Sequence, residues 1–140
     1  ERSFRTLSCS EARLYPHVHE TLEHFKSKNI FIVTNRTEAM ARLSVRVFDI
    51  ERYCKKIIGG DDEHCLKPSA CPINKALAYF IDNKRRAIMV GDMDLDIFAG
   101  KEAGILTCAV TYGIGTRKDI ENAHPDFIID DIAELKRIVH

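Results

Sequence analysis

Three aspartates fall within five positions of the segment IMVGDMDLDIFAGKEAGI, residues 88–105. Asp92, Asp94 and Asp96 follow an apolar run directly and precede a helical pattern. Carboxylates this close repel one another, and a bound cation would turn that repulsion into binding. Mg²⁺ prefers oxygen ligands and commonly takes one or two carboxylates together with water and a substrate phosphate. Because Asp92 and Asp96 bracket the predicted strand-to-helix turn, we predict that both serve a magnesium site.

Two other interpretations of the acidic turn remain open. The D-x-D-x-D spelling opens an EF-hand calcium loop, but that loop needs Gly at its sixth position and Glu at its twelfth, where this chain has Ile97 and Ala103. A structural interpretation has Asp92 end the strand, Asp94 cap the helix and Asp96 lie in the first helical turn near the positive dipole. It accounts for Asp94 better than for the other two.

A hydroxyl and an amine precede the acidic turn along the chain. Thr34 ends the apolar run IFIVT, and Asn35 follows it shortly before the next predicted helix. Free backbone N–H groups at the start of a helix favour the binding of an anion. Lys67 lies in the loop CLKPSACP. Each has a plain alternative, since Thr34 suits a helix cap and a lone loop lysine is usually solvated. The ordered series Thr, Lys, Gly-Asp after successive strands favours one phosphate site formed by Thr34, Asn35 and Lys67.

These residues need a sheet that brings strand ends together. Short apolar runs predict strands at 29–35, 86–92, 105–113 and 126–130, and a shorter strand within 55–62. Helical spacing predicts helices through Val18, Leu22 and Phe25, over 37–48, through Ile73, Leu77 and Phe80, over 94–103 with Gly104 ending it, and after Thr116 and Asp131. The alternation predicts an α/β fold with a parallel sheet covered by helices on both faces. Ligands in such folds bind beyond the carboxyl ends of the strands.

Composition limits the class of protein. The 140 residues suit one domain, 45% are hydrophobic, and 21 basic residues balance 21 acidic ones. Without a basic stripe or a long apolar run, we expect neither a nucleic-acid partner nor a membrane partner. The five cysteines form no CxxC pair, so we expect reduced thiols and a cytoplasmic protein. Asp61 and Asp62 follow a predicted strand and suggest solvated acids or a link to the metal.

At these motifs the chain resembles the haloacid dehalogenase (HAD) superfamily, in its phosphoglycolate phosphatase-like branch. The segments that carry the resemblance are LYPHVHETLEHFKSKNIFIVTN, IIGGDDEHCLKPSACPINKAL and the stretch from AIMVGDMDLDIFAGKEAG to the YGIG turn. It implies a three-layer Rossmann-like core and Mg²⁺-dependent phosphoryl transfer from a small phosphorylated metabolite through an aspartyl-phosphate. It also implies that Thr34 and Lys67 are catalytic, that Asp92 ligates Mg²⁺, and that Asp96 acts through water or by orienting Lys67.

The chain departs from the family pattern at its beginning. The first motif, a strand ending in D-x-D whose first Asp is the nucleophile, is missing, and residues 1–16 contain no Asp. We interpret 1–15 as a remnant of a cap domain or linker and 16–140 as core. The lost strand would lie centrally, so two strand edges should face a gap. Three outcomes are open for this gap. Another segment or a second chain fills it, the chain is part of a longer enzyme, or the two halves of the sheet close directly on each other.

Two functions of different class follow. The first is a phosphatase whose nucleophile motif lies outside these residues, with 2-phosphoglycolate as the default substrate by resemblance. The second is a non-catalytic module that keeps the fold and a phosphate or metal site and acts by association. A receiver domain also uses Asp, Thr and Lys around Mg²⁺, but its Asp comes first along the chain, whereas Asp92 comes last here.

Overall fold

Alternating strands and helices make up the described part of the chain, which in this computed structural model comprises residues 17–79 and 86–140. The strands in these residues are β1 (Phe31–Val33), β2 (Lys56–Ile58), β3 (Ile88–Gly91), β4 (Leu106–Val110) and β5 (Phe127–Ile129). The α-helices are α1 (Val18–His24), α2 (Glu38–Val47), α3 (Cys71–Leu77), α4 (Asp94–Ala103), α5 (Arg117–Asn122) and α6 (Leu135–Ile138). Short 3₁₀ turns occur at Glu51–Tyr53 and Ile132–Glu134. The proposed cap remnant at 1–15 and Phe80, which was predicted to lie in a helix with Ile73 and Leu77, are outside the described residues.

All strand pairs in the described residues are parallel, as the alternation predicted. β1 pairs with β2, with Ile32 opposite Ile57. β4 pairs with β3 on one side and with β5 on the other, with Val90 opposite Cys108 in the first of these ladders. Within residues 17–79 and 86–140 the strands therefore form two ladders, β1-β2 and β3-β4-β5. The gap predicted between the strands that end near Thr34 and Asp92 lies between these ladders.

Helices cover both faces of the sheet because successive strand residues point in opposite directions. Ile32 and Val90 belong to one core cluster, which also contains residues of α1, α2 and α6 such as Val45. Their neighbours Val33 and Met89 belong to a second cluster, formed with α3 and α4. The predicted three-layer α/β arrangement is confirmed.

An apolar cleft of about 600 Å³ lies between the two ladders. Val33 of β1 lines one side, and Ile88 and Val90 of β3 line the other. Leu22 from one helical layer and Ile73 from the other also contact it. Direct closure of the two halves, one of the three predicted outcomes, is therefore not what the described residues adopt.

Helix ends follow sequence signals in some places and depart from them in others. Helix α4 ends where predicted, because Gly104 takes the left-handed conformation with φ 79° that glycine adopts without steric cost. His17 also lies in the left-handed region, with φ 67°, directly before α1. A side chain is disfavoured there, but the imidazole Nδ1 lies 2.7 Å from Asp131 Oδ2 and links the start of α1 to the C-terminal turn.

The cysteines correct one expectation. Cys65 and Cys71 form a disulfide, although their spacing of six residues matches no common motif. Cys54 and Cys108 are outside any disulfide and keep their thiol groups. The expectation of reduced thiols therefore fails for one pair, and with it the argument from cysteine usage for a cytoplasmic protein. Across residues 17–79 and 86–140, no helix combines the length and the apolar character needed to cross a membrane.

Candidate active site

Thr34 lies at the carboxyl end of β1 and is almost fully buried, with 1% of its surface exposed. Its N–H donates to Ile58 O at 3.0 Å, which extends the β1-β2 ladder by one residue. Its Oγ1 accepts a hydrogen bond from Arg36 N at 3.1 Å. A hydroxyl that accepts one bond retains its own O–H donor. The helix-cap alternative for Thr34 is wrong, because Thr37 Oγ1 accepts from Met40 N and caps α2.

Lys67 is buried rather than solvated. Its Nζ donates to Val33 O at 2.6 Å, on the residue directly before Thr34. The same ammonium lies 3.2 Å from Asp96 Oδ1, and both side chains of this pair are fully buried. An unpaired ammonium would be costly to bury, so these two contacts account for the position of the side chain. Lys67 thereby connects the end of β1 to the first turn of α4.

Asn35 holds the backbone of Lys67 at two points. Its Nδ2 donates to Lys67 O at 3.0 Å, and its Oδ1 accepts from Lys67 N at 2.9 Å. An asparagine amide carries both a donor and an acceptor, so one side chain can satisfy both backbone groups of a loop residue. The Asn35 side chain thus holds the Lys67 loop, and the phosphate role of Asn35 stays a prediction. No sequence signal predicted this clamp, because the two residues are 32 positions apart.

Asp96 acts in the capping of α4 as well as in the ion pair. Its Oδ2 accepts from Met93 N at 3.1 Å, which satisfies a backbone donor at the start of the helix. Met93 is the N-cap residue and Asp94 is the first helical residue, with Asp94 Oδ1 accepting from Leu95 N at 2.8 Å. The alternative in which Asp94 caps the helix is therefore wrong. Asp96 is 0% exposed and faces Lys67.

Asp92 lies directly after β3 and is held by the YGIG turn. Ile114 N donates to Asp92 Oδ2 at 3.1 Å, and Gly115 N donates to Asp92 O at 3.0 Å. The approach is so close that a methyl group on Gly113 would overlap the Asp92 side chain. The glycine-rich turn thus orients one carboxylate. Asp92 is 1% exposed.

The structure brings several predicted site residues together. Val33 O, next to Thr34, contacts Lys67, and Lys67 contacts Asp96. Asp92 and Asp96 flank the β3-to-α4 turn, as their spacing predicted. Across the described residues, no three His, Cys, Asp or Glu side chains converge as a metal-holding group. The described carboxylates alone are therefore too few for a closed site made of protein ligands.

Asp61 and Asp62 have structural partners. Asp61 Oδ2 accepts from Glu38 N at 2.9 Å, at the start of α2. A carboxylate there satisfies a backbone donor and interacts favourably with the helix dipole. Asp62 Oδ1 accepts from His64 N at 2.9 Å. Asp61 thus holds the start of α2 and Asp62 holds a local turn, which favours the structural alternative over a link to the metal.

An α/β fold with a hydroxyl, a buried ammonium and two buried carboxylates at the carboxyl ends of parallel strands is suited to phosphate groups. Residues 2–110 match the haloacid dehalogenase-like hydrolase family. The chain belongs to this family, and the resemblance predicted from the motifs is confirmed.

Two relatives with assigned names place the chain more closely within the family. A phosphoglycolate phosphatase of Haemophilus influenzae (strain ATCC 51907 / DSM 11121 / KW20 / Rd) is 33% identical over 133 residues, which cover 94% of this chain. The pyrophosphatase PpaX of Oceanobacillus iheyensis is 31% identical over 127 residues, which cover 89% of this chain. In both cases the match covers 59% of the relative, so the chain spans about three fifths of their length.

Solved structures agree with the fold. The crystal structure of a predicted phosphoglycolate phosphatase from Haemophilus somnus 129pt superposes with a TM-score of 0.84 at 32% identity, covering 90% of this chain and 57% of that one. A haloacid dehalogenase-like family hydrolase from Streptococcus pneumoniae gives a TM-score of 0.80 at 26% identity, covering 90% and 60%.

Proposed function

We propose that this chain forms the phosphate-binding and metal-binding part of a Mg²⁺-dependent phosphomonoester hydrolase. The observation that carries the proposal is the buried Lys67 ammonium, which joins Val33 O, next to Thr34, to Asp96 Oδ1 in α4. A fold that buries a lysine at the meeting point of three motif segments has a positive charge fixed in advance for an anionic ligand. The phosphatase names of the relatives agree with this chemistry.

Phosphate would be held by short-range donors at the end of β1. The Thr34 hydroxyl and the backbone N–H of Asn35 would donate to phosphoryl oxygens, and Lys67 would neutralise their charge. Asn35 contributes its backbone because its side chain is engaged with the Lys67 backbone. Since the transition state of phosphoryl transfer is loose, catalysis needs mainly positioning and charge stabilisation from these groups.

Magnesium would be held chiefly by Asp92. Its carboxylate is buried and oriented by Ile114 N through Oδ2, and a carboxylate has lone pairs enough for further ligation. Asp96, the second predicted ligand, contacts Lys67 and would act through water or by orienting that ammonium. Such a donor set fits an ion that retains several waters and takes phosphate oxygens as ligands. When bound, Mg²⁺ would supply charge neutralisation to the phosphoryl group.

The nucleophile would come from a strand in the cleft between β1 and β3. A parallel strand inserted there would pair with both ladders and bring its last residue to the edge that holds Thr34 and Asp92. In the reaction, a carboxylate oxygen of that strand attacks phosphorus as the bond to the leaving alkoxide breaks. Water then hydrolyses the aspartyl-phosphate and releases inorganic phosphate. An N-terminal segment of a longer protein or a second chain would supply the strand.

A non-catalytic module is the second candidate for the 140-residue chain acting alone. The open cleft and the lack of Asp in residues 1–16 favour it. In that state the chain would bind phosphate or metal and associate through the cleft, without turnover. Barriers to phosphomonoester hydrolysis are too high for positioned charges alone to give a measurable rate.

The substrate of the complete enzyme would be a small phosphorylated metabolite. The name of the H. influenzae relative favours 2-phosphoglycolate, and that of the O. iheyensis relative adds pyrophosphate as an alternative. A cytoplasmic location suits such metabolites and stays part of the proposal.

The test measures hydrolysis of p-nitrophenyl phosphate with Mg²⁺. The 140-residue chain is assayed alone and with a peptide copying the first-motif strand of a phosphoglycolate phosphatase relative, and a peptide with both aspartates replaced by Asn is the control. We expect turnover only with the intact peptide, and its loss in the Lys67→Met variant. Turnover by the chain alone would contradict the assignment of the nucleophile. If the peptide binds without turnover, the chain is a binding module.

A further inference from the structure

A disulfide closes the loop that carries Lys67. Cys65 and Cys71 lie on either side of it and are joined through their sulfur atoms. The same loop is clamped from outside by the Asn35 side chain, which bonds both backbone groups of Lys67. The Lys67 ammonium is fully buried, so its position depends on where the loop backbone is held. Two independent links, one covalent and one made of hydrogen bonds, thus converge on one residue.

We propose that Asn35 is a positioning residue for Lys67 and that thiol–disulfide exchange at Cys65–Cys71 controls how firmly the Lys67 loop is held. This proposal rests on the proposed function in one respect, the phosphate that Lys67 would bind. With the disulfide intact, the loop has few backbone conformations available and Lys67 stays between Val33 O and Asp96. When the disulfide is reduced, hydrogen bonds alone hold the loop to the end of β1, from the Asn35 side chain to the Lys67 backbone and from Lys67 Nζ to Val33 O.

The disulfide is open to exchange from one side. Cys65 is 3% exposed, whereas Cys71 is half-buried at the first residue of α3. A low-molecular-weight thiol would therefore attack the Cys71 sulfur. A mixed disulfide forms with Cys71 as the bond between the two protein sulfurs breaks, and Cys65 takes up a proton. A second thiol displaces Cys71, so that two small thiols become one small disulfide and two protein thiols are formed.

The consequence is a coupling between two chemically different links. Removing either link alone leaves the other to restrict the loop, whereas removing both frees it. The effect of reduction on the loop should therefore be larger in an Asn35→Ala variant than in the parent chain. If the two links acted on the loop independently, the fold-changes in loop opening caused by losing each link would simply multiply.

The experiment measures amide hydrogen exchange at Ser69 by NMR. The Ser69 N–H donates to Leu66 O at 3.0 Å within the loop and has no bond to Asn35, so its exchange reports loop opening without being altered directly by the variants. The parent chain, Asn35→Ala and Asn35→Asp are each measured oxidised and after treatment with dithiothreitol. Asn35→Asp retains the acceptor for Lys67 N but loses the donor to Lys67 O.

We expect reduction to raise Ser69 exchange about tenfold in the parent chain and by clearly more in Asn35→Ala, with Asn35→Asp between them. The Cys71→Ser variant should exchange like the reduced parent chain and should not respond to dithiothreitol. Asn74→Ala, at an exposed position of α3, and Cys54→Ser, which removes a thiol outside the loop, should behave like the parent chain. The proposal would be overturned if Ser69 exchange were equal before and after reduction both in the parent chain and in Asn35→Ala.

A second readout separates this proposal from the proposed function. Affinity for inorganic phosphate is measured by calorimetry in the oxidised and reduced states. Weaker binding on reduction, by about threefold or more, is expected if Lys67 contacts phosphate. If the chain binds no phosphate while Ser69 exchange still responds to reduction, the proposed function fails and the loop switch stands. Unchanged exchange together with tight phosphate binding would mean that the loop switch fails and the proposed function stands.

Discussion

The buried pair of Lys67 and Asp96 makes the most direct prediction about stability. Replacing Lys67 with Met keeps an unbranched side chain of similar size but removes the ammonium from both buried partners, Asp96 Oδ1 and Val33 O. Removing one partner of a buried pair typically costs about 3–5 kcal/mol. Because Asp96 keeps its bond from Met93 N, we expect the lower end, about 3 kcal/mol. With a urea slope of about 2 kcal/mol per M, the unfolding midpoint should fall by about 1.5 M.

Replacing the carboxylate instead of the ammonium should lower the stability by less. Asp96→Asn leaves Lys67 donating to Val33 O and keeps an acceptor on the side chain, so we expect about 2 kcal/mol. The double variant carries no buried charge at this position. It should therefore be more stable than the sum of the single losses predicts, by about 1–2 kcal/mol.

The assay is urea unfolding followed by circular dichroism, in the presence of EDTA so that bound metal does not contribute. Lys75→Met on the exposed side of α3 is the matched control and should change stability by less than about 0.5 kcal/mol. Strict additivity of the Lys67 and Asp96 losses would refute the reasoning, since it would mean that neither charge depends on the other.

Three further predictions concern separate parts of the chain. Gly113→Ala should weaken Mn²⁺ binding about tenfold, followed by electron paramagnetic resonance, because the added methyl group displaces the Asp92 carboxylate. Asp131→Ala should lower stability by about 1 kcal/mol in urea unfolding, because it removes the carboxylate that accepts from Ala133 N at 2.9 Å. That backbone N–H lowers the pKa of Asp131, so its contribution is complete above the ordinary Asp range and is lost as the pH falls through the folded-state pKa. Ile88→Glu should abolish activation by the first-motif peptide, because it places a charge in the apolar cleft.

Each of these has a control and a contradicting result. Gly104→Ala should cost about 1 kcal/mol at the left-handed C′ position without changing Mn²⁺ affinity. Equal affinity in Gly113→Ala would contradict the role of the YGIG turn. A loss for Asp131→Ala that is as large at about pH 2 as at about pH 7 would contradict the pH dependence. Phe98→Glu, at an exposed residue of α4, should leave peptide activation intact, and a similar loss in both Glu variants would exclude the cleft as the binding site.

The sequence predicted the fold because the relevant signals are local. Each strand is a short apolar run, and α4 ends at a glycine, the residue that takes the left-handed conformation at the least steric cost. The contacts of Lys67 with the end of β1 and with Asp96 were also predictable, since parallel strands present their carboxyl ends at one edge of a sheet. The order of the motifs along the chain supplied the remaining support for that inference.

Other features depend on contacts between distant residues and left no local trace. The Asn35 clamp joins residues 32 positions apart. The Cys65–Cys71 disulfide joins residues six positions apart, a spacing that matches no common motif. At the start of α4, the sequence suggested Asp94 as the capping residue, and only the direction of the side chains shows that Asp96 accepts from Met93 N instead.

The two separate ladders have a consequence for how the molecule unfolds. Residues of β1 and β2 share backbone hydrogen bonds with each other, and those of β3 to β5 do the same. In the described residues, side-chain packing and the Lys67–Asp96 pair connect the two groups. Because no backbone ladder joins the two groups in these residues, we predict that one half can lose its order before the other does. A strand bound between them would merge both into one, so that filling the cleft sharpens the thermal transition as well as raising its midpoint.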